Sequence, residues 1–412
     1  MNVVIVGGGL PYPPTAGNRI RTLNLTLRLA ARHRITYIYH LGGDPEESRS
    51  AAAYLRARGV ETIGVDHAVP PKSGAAFYAR LAANLASPLP YSVATHIGPE
   101  MRAAVRSFAG THAVDLWQTE GAPYFEALRG LDGARKVVMA HNVESQIWQR
   151  YHETERRRLR KWYIAGQWRK FERFERAAFA EATRIIVVSD EDAALVRERF
   201  GSDRVDVVDN GIDRDFFGSV EPAREADRIL FLGGFDWRPN LDAVDQLLGT
   251  IFPAVRAAVP SARLDLVGRN PPETLARRAR EMPGVTLHPD VPDVRPFLAR
   301  SGVMAVPLRI GGGSRLKILE ALATGLPVVS TRVGAEGLRL TAGRDLAVVE
   351  RIDEMASALV GCLRDPDSAR AMAESGRRLV LQRYDWDVLA EKLGQIWQDC
   401  VHESVPQAGF RG

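Results

Sequence analysis

The sequence predicts an α/β protein made of two doubly wound, parallel-sheet domains, and three observations carry that expectation. The chain has 412 residues, too long for one ordinary core and suited to two domains of roughly 200 residues each. Short β-branched runs alternate with longer helical patterns, the signature of parallel sheets wrapped by helices. The alternation is interrupted once by a polar stretch and then restarts, as a second doubly wound domain would require.

Taken in order, the strand candidates of the first half are Val3–Val6, Ile35–Tyr39, Val60–Val65, Val114–Gln118, Lys136–Ala140 and Arg184–Ser189. Helical patterns lie between them, including Arg19–Arg32 and the long charged stretch Trp148–Ala182. Val205–Asp213 closes the half with a strand and an Asn-Gly turn. Arg214–Asp227, holding Gly218, Pro222 and mixed charges, shows neither pattern and reads as a linker. The second set is Ile229–Leu232, Arg263–Val267, Val285–Leu287, Val303–Pro307, Pro327–Thr331 and Leu346–Val349. The expected organisation is a domain over 1–213, a linker over 214–227, a domain over 228–385, a helix over 386–405 and a flexible tail over 406–412. In open sheets of this kind ligands bind outside the carboxyl ends of the strands, so a central cleft between facing domains is where the chemistry is expected.

Composition narrows the class. Hydrophobic residues at 45% and charged residues at 25% are ordinary globular values and exclude a largely disordered chain. No apolar run approaches the roughly 20 residues that span a bilayer. The start MNVVIVGGG reads as a first strand and not as a secretion signal. Cys362 and Cys400 have no metal-ligand spacing and fit packing in a reducing cytoplasm. The net charge of +5 permits anionic partners without pointing to nucleic acid. None of the Asp-x-Asp spacings in the chain reads as a metal motif, so no required divalent ion or other cofactor is expected.

The most informative segment is GGGSRLKILEALATGLPVVST, Gly311 to Thr331. It follows a buried-type strand; Ser314 is placed to cap a helix, Leu316, Leu319 and Ala323 recur at helical spacing, and Gly325 with Pro327 ends it. Glycines let backbone amides approach an anion, and the helix N-terminus adds its positive dipole end. Arg315 and Lys317 place cations in the first turn, a local conflict that a bound anion would relieve. Glu320 lies one turn further on, where a carboxylate can accept hydrogen bonds from ribose hydroxyls. The same residues also fit a plain loop followed by a surface Lys317–Glu320 pair.

The order strand, Gly-rich loop, Leu-Glu-Ala-Leu-Ala, Gly-x-Pro-Val-Val resembles the C-terminal domain of retaining glycosyltransferases of the GT-B fold, family four. Phe231-Leu232-Gly233-Gly234, Leu266-Val267-Gly268, Val285–Asp293, Asn210-Gly211-Ile212-Asp213 and Tyr384-Asp385-Trp386 resemble further pieces of that family in the right order. The resemblance covers nearly the whole chain and is strongest in its second half. It implies two Rossmann-like domains, a final helix returning to the first, and a nucleotide-sugar site formed by Gly234, Gly268, Gly312, Gly313, Ser314, Arg315, Leu316 and Glu320. Family members commonly carry two glutamates seven residues apart; Glu320 holds the second place and Gly312 the first, as in a subgroup of Gly-Gly-Gly-x-Arg-Leu-Lys form. Sugar contact by a carboxylate is therefore lost at that place. The family's arginine after the Phe231–Gly234 strand falls on Phe235, leaving Arg238 as the nearest cation and Asn240 as a helix cap.

In the first half, Gly7-Gly8-Gly9 is followed by Pro11-Tyr12-Pro13-Pro14, which delays the helix and fits a dinucleotide fingerprint poorly. The loop with Gly9, Gly17, Arg19 and Arg21 instead resembles the one that covers the donor diphosphate, Arg21 matching the pattern's arginine and Arg19 standing second. His141 follows the strand Lys136–Ala140 and can bond a sugar hydroxyl or share charge with phosphate. Glu120 and Asn142 are candidate acceptor contacts, with Glu144 beside them.

The family's implied reaction moves a sugar from a nucleoside diphosphate to an acceptor hydroxyl with retention. His141, Arg238 and Lys317 are the expected catalytic residues, stabilising the leaving diphosphate electrostatically. Expected partners are the nucleotide-sugar donor and a glycan, lipid-linked or small-molecule acceptor, with no nucleic acid. Arg150–Arg176 interleaves cations with Trp162, Tyr163, Trp168, Phe171 and Phe174; it fits either peripheral contact with the cytoplasmic membrane face or an ordinary helix with one core face. A degenerate glycan- or nucleotide-binding member, a nucleotide-sugar 2-epimerase of the same fold and a membrane-associated scaffold are the alternatives.

Overall fold

The computed structural model describes residues 1–42, 44–67, 70–71, 73–310 and 315–403. The expected contacts at Gly312, Gly313 and Ser314 and the tail over 406–412 lie outside the described residues. The chain forms two compact units, residues 1–209 with the segment from Leu389 onward, and residues 210–310 with 315–388.

The first unit is built on seven parallel strands: β1 Asn2–Gly7, β2 Arg34–His40, β3 Val60–Val65, β4 Leu116–Glu120, β5 Lys136–Met139, β6 Arg184–Val187 and β7 Val205–Val207. Their order is β3-β2-β1-β4-β5-β6-β7, with β1 paired to β2 on one side and β4 on the other. Helices cover both faces, so the central strand is apolar where it is buried: Val3, Val4, Ile5 and Val6 are at most 2% exposed. The sheet's direction of growth reverses between β1 and β4, where a ligand crevice forms in such folds.

Two elements differ from expectation. The strand expected at Val114–Gln118 runs from Leu116 to Glu120, because the Asp115 carboxylate instead accepts the Asn2 N–H at 2.7 Å. The stretch Trp148–Ala182 is two helices, Glu144–Thr154 and Arg158–Glu181. Buried Glu155 separates them, its Oε1 accepting the backbone N–H groups of Arg156 and Arg157 at 2.9 and 3.1 Å. Glutamate is a good helix former, so the break leaves no compositional trace. Glu175 of the second helix, fully buried, accepts the Glu144 and Ser145 N–H groups at 2.7 and 3.0 Å and caps the first.

The second unit has six parallel strands: β8 Glu225–Leu232, β9 Arg263–Gly268, β10 Val285–Pro289, β11 Ser301–Val306, β12 Val328–Thr331 and β13 Ala347–Val349. The order β10-β9-β8-β11-β12-β13 repeats the reversal, here between β8 and β11. Helix Leu316–Ala323 stops where Gly325 takes the left-handed conformation at φ 68°. The N–H groups of Leu326 and Gly325 return to the carbonyls of Ala321 and Leu322, the closure that a glycine at this place permits.

The expected linker is more ordered than its composition suggested. It holds the helix Arg214–Gly218, with Asp213 accepting the Phe216 N–H at 2.9 Å, and the first residues of β8. The charges that mask β8 are consumed in pairs: Arg228 joins Glu225 at 2.6 Å and buried Asp265 at 3.0 Å. Arg224 beside them donates to the carbonyls of Leu298, Ala299 and Thr324, tying together the ends of two helices.

Arg224→Met leaves the Leu298 and Thr324 carbonyls without the guanidinium, while Ala299 keeps the Ala223 N–H at 3.0 Å. The second unit should lose about 2–4 kcal/mol, one to two lost charge-assisted bonds' worth. A calorimetric transition for this unit unchanged from wild type would contradict that account.

Candidate functional site

At the carboxyl edge of the first sheet, the end of β4 and the residues after β5 form one hydrogen-bonded group. Glu120 Oε2 accepts from His141 Nε2 at 2.9 Å and from the Thr22 hydroxyl at 2.6 Å. Gln118 Nε2 donates to Glu120 Oε1 at 2.7 Å, and Gln118 Oε1 accepts the Trp397 indole N–H at 2.9 Å. A carboxylate only accepts, so His141 carries a proton on Nε2. Nδ1 of His141 has no hydrogen-bond partner among the described residues. Burial would raise the Glu120 carboxyl, but the hydrogen bonds and charge of His141, with Thr22 and Gln118, outweigh it and hold it below the usual range.

Glu120, expected as an acceptor contact, is thus held against His141 by a hydrogen bond. Asn142 lies beside Glu144, whose carboxyl burial pushes up to about 7 against the Asn142 hydrogen bond. Gln118, Thr22 and Trp397 were not anticipated. The one available signal was the polar run Gln118-Thr119-Glu120 ending a strand buried along most of its length.

The loop after β1 divides its arginines. Arg21 is 1% exposed; its guanidinium donates to the carbonyls of Val208 and Asp209 at 2.7 and 2.5 Å and lies 3.5 Å from Met139 sulfur. Burial lowers it to about 10. In place of the expected diphosphate contact, it ties the helix Gly17–Ala30 to the end of β7. Arg19 is on the accessible side, in a 3.0 Å pair with Glu47 that solvent screens. Gly17 opens its helix with no side-chain cap, and Gly9 has open space where a side chain would stand.

At the carboxyl edge of the second sheet, Asn240 is central. It is 4% exposed, donates from Nδ2 to the Gly234 carbonyl at 2.8 Å, and accepts Lys317 Nζ at Oδ1 at 2.9 Å. It is no helix cap: the helix Arg238–Gln246 has Trp237 at its N-cap, and the Asn240 amide turns back toward the β8 turn. Lys317 also lies 4.9 Å from the Phe231 ring centre. Burial, with Arg315 nearby, lowers Lys317 to about 7 against the opposing pull of Glu320. Burial raises Glu320 to about 7, with Lys317 only partly offsetting it. Both are half-buried by exposed area, and neither charge is satisfied the way that of Glu120 is.

The remaining expectations sort by burial. Arg315 is 5% exposed and donates to the Val333 carbonyl at 2.9 Å and to Glu336 at 3.3 Å, so its guanidinium is engaged inside the unit. The Leu316 side chain is buried, which leaves its backbone for any ligand. Phe235, at the family's arginine place, is 1% exposed and packs on Phe231. Arg238 is half-buried at the start of its helix. Arg269, not anticipated, follows β9 and lies 3.6 Å from Asp236, beside Gly234. Gly268 serves the backbone: a Cβ there would sit 1.8 Å from the Gly233 carbonyl oxygen. Among the described residues no group of three or more His, Cys, Asp or Glu is placed to hold a metal ion. No helix among them is long and apolar enough to cross a membrane, and both cysteines are free.

The family model for Glycosyl transferases group 1 matches residues 226–365, and that for Glycosyltransferase Family 4 matches residues 15–216. The chain belongs to these glycosyltransferases. It is 30% identical over 209 residues to the GDP-mannose-dependent alpha-(1-6)-phosphatidylinositol monomannoside mannosyltransferase of Mycolicibacterium smegmatis, covering 45% of this chain and 54% of that one. Likewise it is 30% identical over 251 residues to the D-inositol 3-phosphate glycosyltransferase of Mycolicibacterium paratuberculosis, covering 56% and 55%. The matched part thus spans about half the length of these curated relatives. Among solved structures, sucrose-phosphate synthase from Thermosynechococcus elongatus superposes with a TM-score of 0.73 at 18% identity, covering 97% of this chain and 98% of that one. Anabaena HepE in complex with UDP and glucose superposes with a TM-score of 0.66 at 12% identity, covering 97% and 100%. The fold of this glycosyltransferase is GT-B.

Gly268→Ala forces a methyl against the Gly233 backbone, which cannot yield as a side-chain tip does. A loss of at least about 2 kcal/mol in the second unit is expected, read as a lower thermal midpoint. A midpoint equal to wild type would show that the β8 and β9 turns are not held in this apposition.

Proposed function

We propose that this glycosyltransferase moves a sugar from a nucleoside-diphosphate sugar to an acceptor hydroxyl with retention at the anomeric carbon. The observation that carries the reading is the chain Lys317–Asn240–Gly234 with Glu320 one turn along the same helix, at the strand-order reversal of the group 1 domain. A lysine whose only described hydrogen-bond acceptor is a neutral amide has charge left for an anion. In the proposed roles Lys317 and Arg238 stabilise the departing diphosphate, with Arg269 added as a further cation at the same edge. Glu320 accepts the ribose hydroxyls. The amides of Gly312, Gly313 and Ser314 keep the cradle role inferred from sequence. Arg19 takes the diphosphate role in preference to Arg21, which acts as a positioning residue.

On the acceptor side, His141 is held by Glu120 with Nδ1 unengaged, so Nδ1 is the atom that meets a sugar or acceptor hydroxyl. Asn142 contacts the acceptor. As the bond from the anomeric carbon to the diphosphate oxygen breaks, a diphosphate oxygen takes the acceptor's proton and the new bond forms on the same face. Two relatives, a phosphatidylinositol monomannoside mannosyltransferase and a D-inositol 3-phosphate glycosyltransferase, support a polyol or lipid-linked glycan acceptor.

The test is release of nucleoside diphosphate from a panel of UDP-, GDP- and ADP-sugars with polyol and glycolipid acceptors. A donor bound without any transfer would reassign the protein to a binding role. Glu320→Gln should weaken donor affinity at least about tenfold, one hydrogen bond to a charged group, and leave the thermal midpoint in place. Equal affinity by calorimetry would remove the ribose role.

Lys317 gives a pH dependence. With Lys317 held near 7 in the free protein, an anionic diphosphate favours its protonated form and binding takes up a proton above that pH. UDP affinity should therefore fall as pH rises from 7, by up to about tenfold per unit. Because Glu320 titrates in the same range, the measurement belongs in the Glu320→Gln background. Adding Lys317→Met should flatten the profile; an unchanged slope would place the titrating cation elsewhere.

A further inference from the structure

The basic stretch Arg150–Arg176 does not present one continuous face. From Ile164 onward the helix Arg158–Glu181 is a packed element: Ile164, Gln167, Lys170, Phe171, Phe174 and Glu175 are buried at helical spacing. Even its polar members are engaged, Gln167 and Lys170 both holding Asn84. The first turn and a half is different. Leu159 is 86% exposed and Trp162 is 65% exposed, and at i,i+3 they lie side by side.

These two side chains sit among cations. Arg156, Arg157, Arg158 and Arg160 are exposed and Lys161 is half-buried. Glu155 pairs with Arg160 at 3.2 Å and accepts the backbone N–H groups of Arg156 and Arg157. The helix carries no acidic residue in its first turn and no N-terminal side-chain cap. Cations therefore crowd the positive end of a helix dipole, an arrangement that an external anion relieves. Exposed leucine and indole beside that anion site ask for an apolar phase within a side chain's length of the charge. An anionic bilayer supplies both; single-stranded bases would stack on the indole and leave Leu159 in water.

We infer that residues 156–162 dock this protein onto an anionic lipid bilayer. Arg156, Arg157, Arg158 and Lys161 meet phosphate headgroups while Leu159 and Trp162 enter the acyl boundary. Docking needs no donor, so it stands or falls separately from the transferase reading.

The experiment is co-sedimentation of the full chain with phosphatidylcholine vesicles, with and without phosphatidylglycerol. Binding is expected only with the anionic lipid and should weaken as salt is raised. The double variant Leu159→Ser, Trp162→Ser should lose at least tenfold in partitioning with an unchanged thermal midpoint. Arg157→Glu with Arg158→Glu should lose as much. Wild type left in the supernatant, equal binding to neutral vesicles, or serine variants that sediment like wild type would each overturn the inference. So would self-association of the wild type in light scattering that the serine variants abolish, because a second copy would then own the surface. A single-stranded oligonucleotide bound as tightly as vesicles, with no effect of the serine changes, would assign the charge to nucleic acid instead. Donor affinity measured on the same variants should not change.

Discussion

A parallel strand can be extended on both sides of a sheet only by reversing the direction in which the chain winds. β1 between β2 and β4, and β8 between β9 and β11, are where this chain does so. At the reversal the connecting helices leave toward opposite faces, and the carboxyl ends of two adjacent strands are left uncovered. Backbone groups there have run out of ladder partners, so side chains must satisfy them or a ligand must. Asn240 reaching the Gly234 carbonyl after β8 is one such completion. Polar side chains are needed at these edges for that reason, and the candidate site follows from topology before it follows from any motif.

Burial has opposite outcomes at the two edges, and the difference lies in the donors. Glu120 and Glu320 are both carboxylates that burial would protonate. Glu120 is surrounded by His141, Thr22 and Gln118, and ends below the ordinary range. Glu320 has only Lys317 to oppose burial, and ends near 7. Lys317 is the mirror case, lowered to about 7 with a neutral amide as its hydrogen-bond partner. The first group is finished scaffolding that fixes one histidine. The second is an arrangement whose charges, under the proposed reading, gain their full partners when the donor binds.

Much of the fold was legible in the residues because it depends on short-range patterns. Alternating runs reported the strands, and Gly325 with Pro327 reported a helix end that the left-handed glycine confirms. What stayed hidden depended on partners distant in sequence. The break at Glu155 is made by a good helix former turned inward. β8 begins among charges because Asp265, far along the chain, neutralises Arg228. Trp397 supports Gln118 from almost the other end of the molecule. Motif matching placed Arg21 and Arg315 at a ligand, yet nothing in a motif distinguishes an arginine that meets a phosphate from one that closes a helix or strand end.

That distinction has a physical basis. A buried guanidinium stays charged and is tolerated only where several oxygens face it. Carbonyls at the ends of helices and strands offer that setting, and Arg21, Arg224 and Arg315 each donate to them. Their charge is spread over backbone dipoles and is poorly placed to serve a leaving group. An ammonium can instead lower its pKa when its surroundings are incomplete, as Lys317 does, and regain the proton when an anion arrives. Under the proposed reading the cations that report on donor binding are thus the least satisfied ones, not the most deeply buried. This orders the site with Lys317 first and leaves the buried arginines to the architecture that holds it.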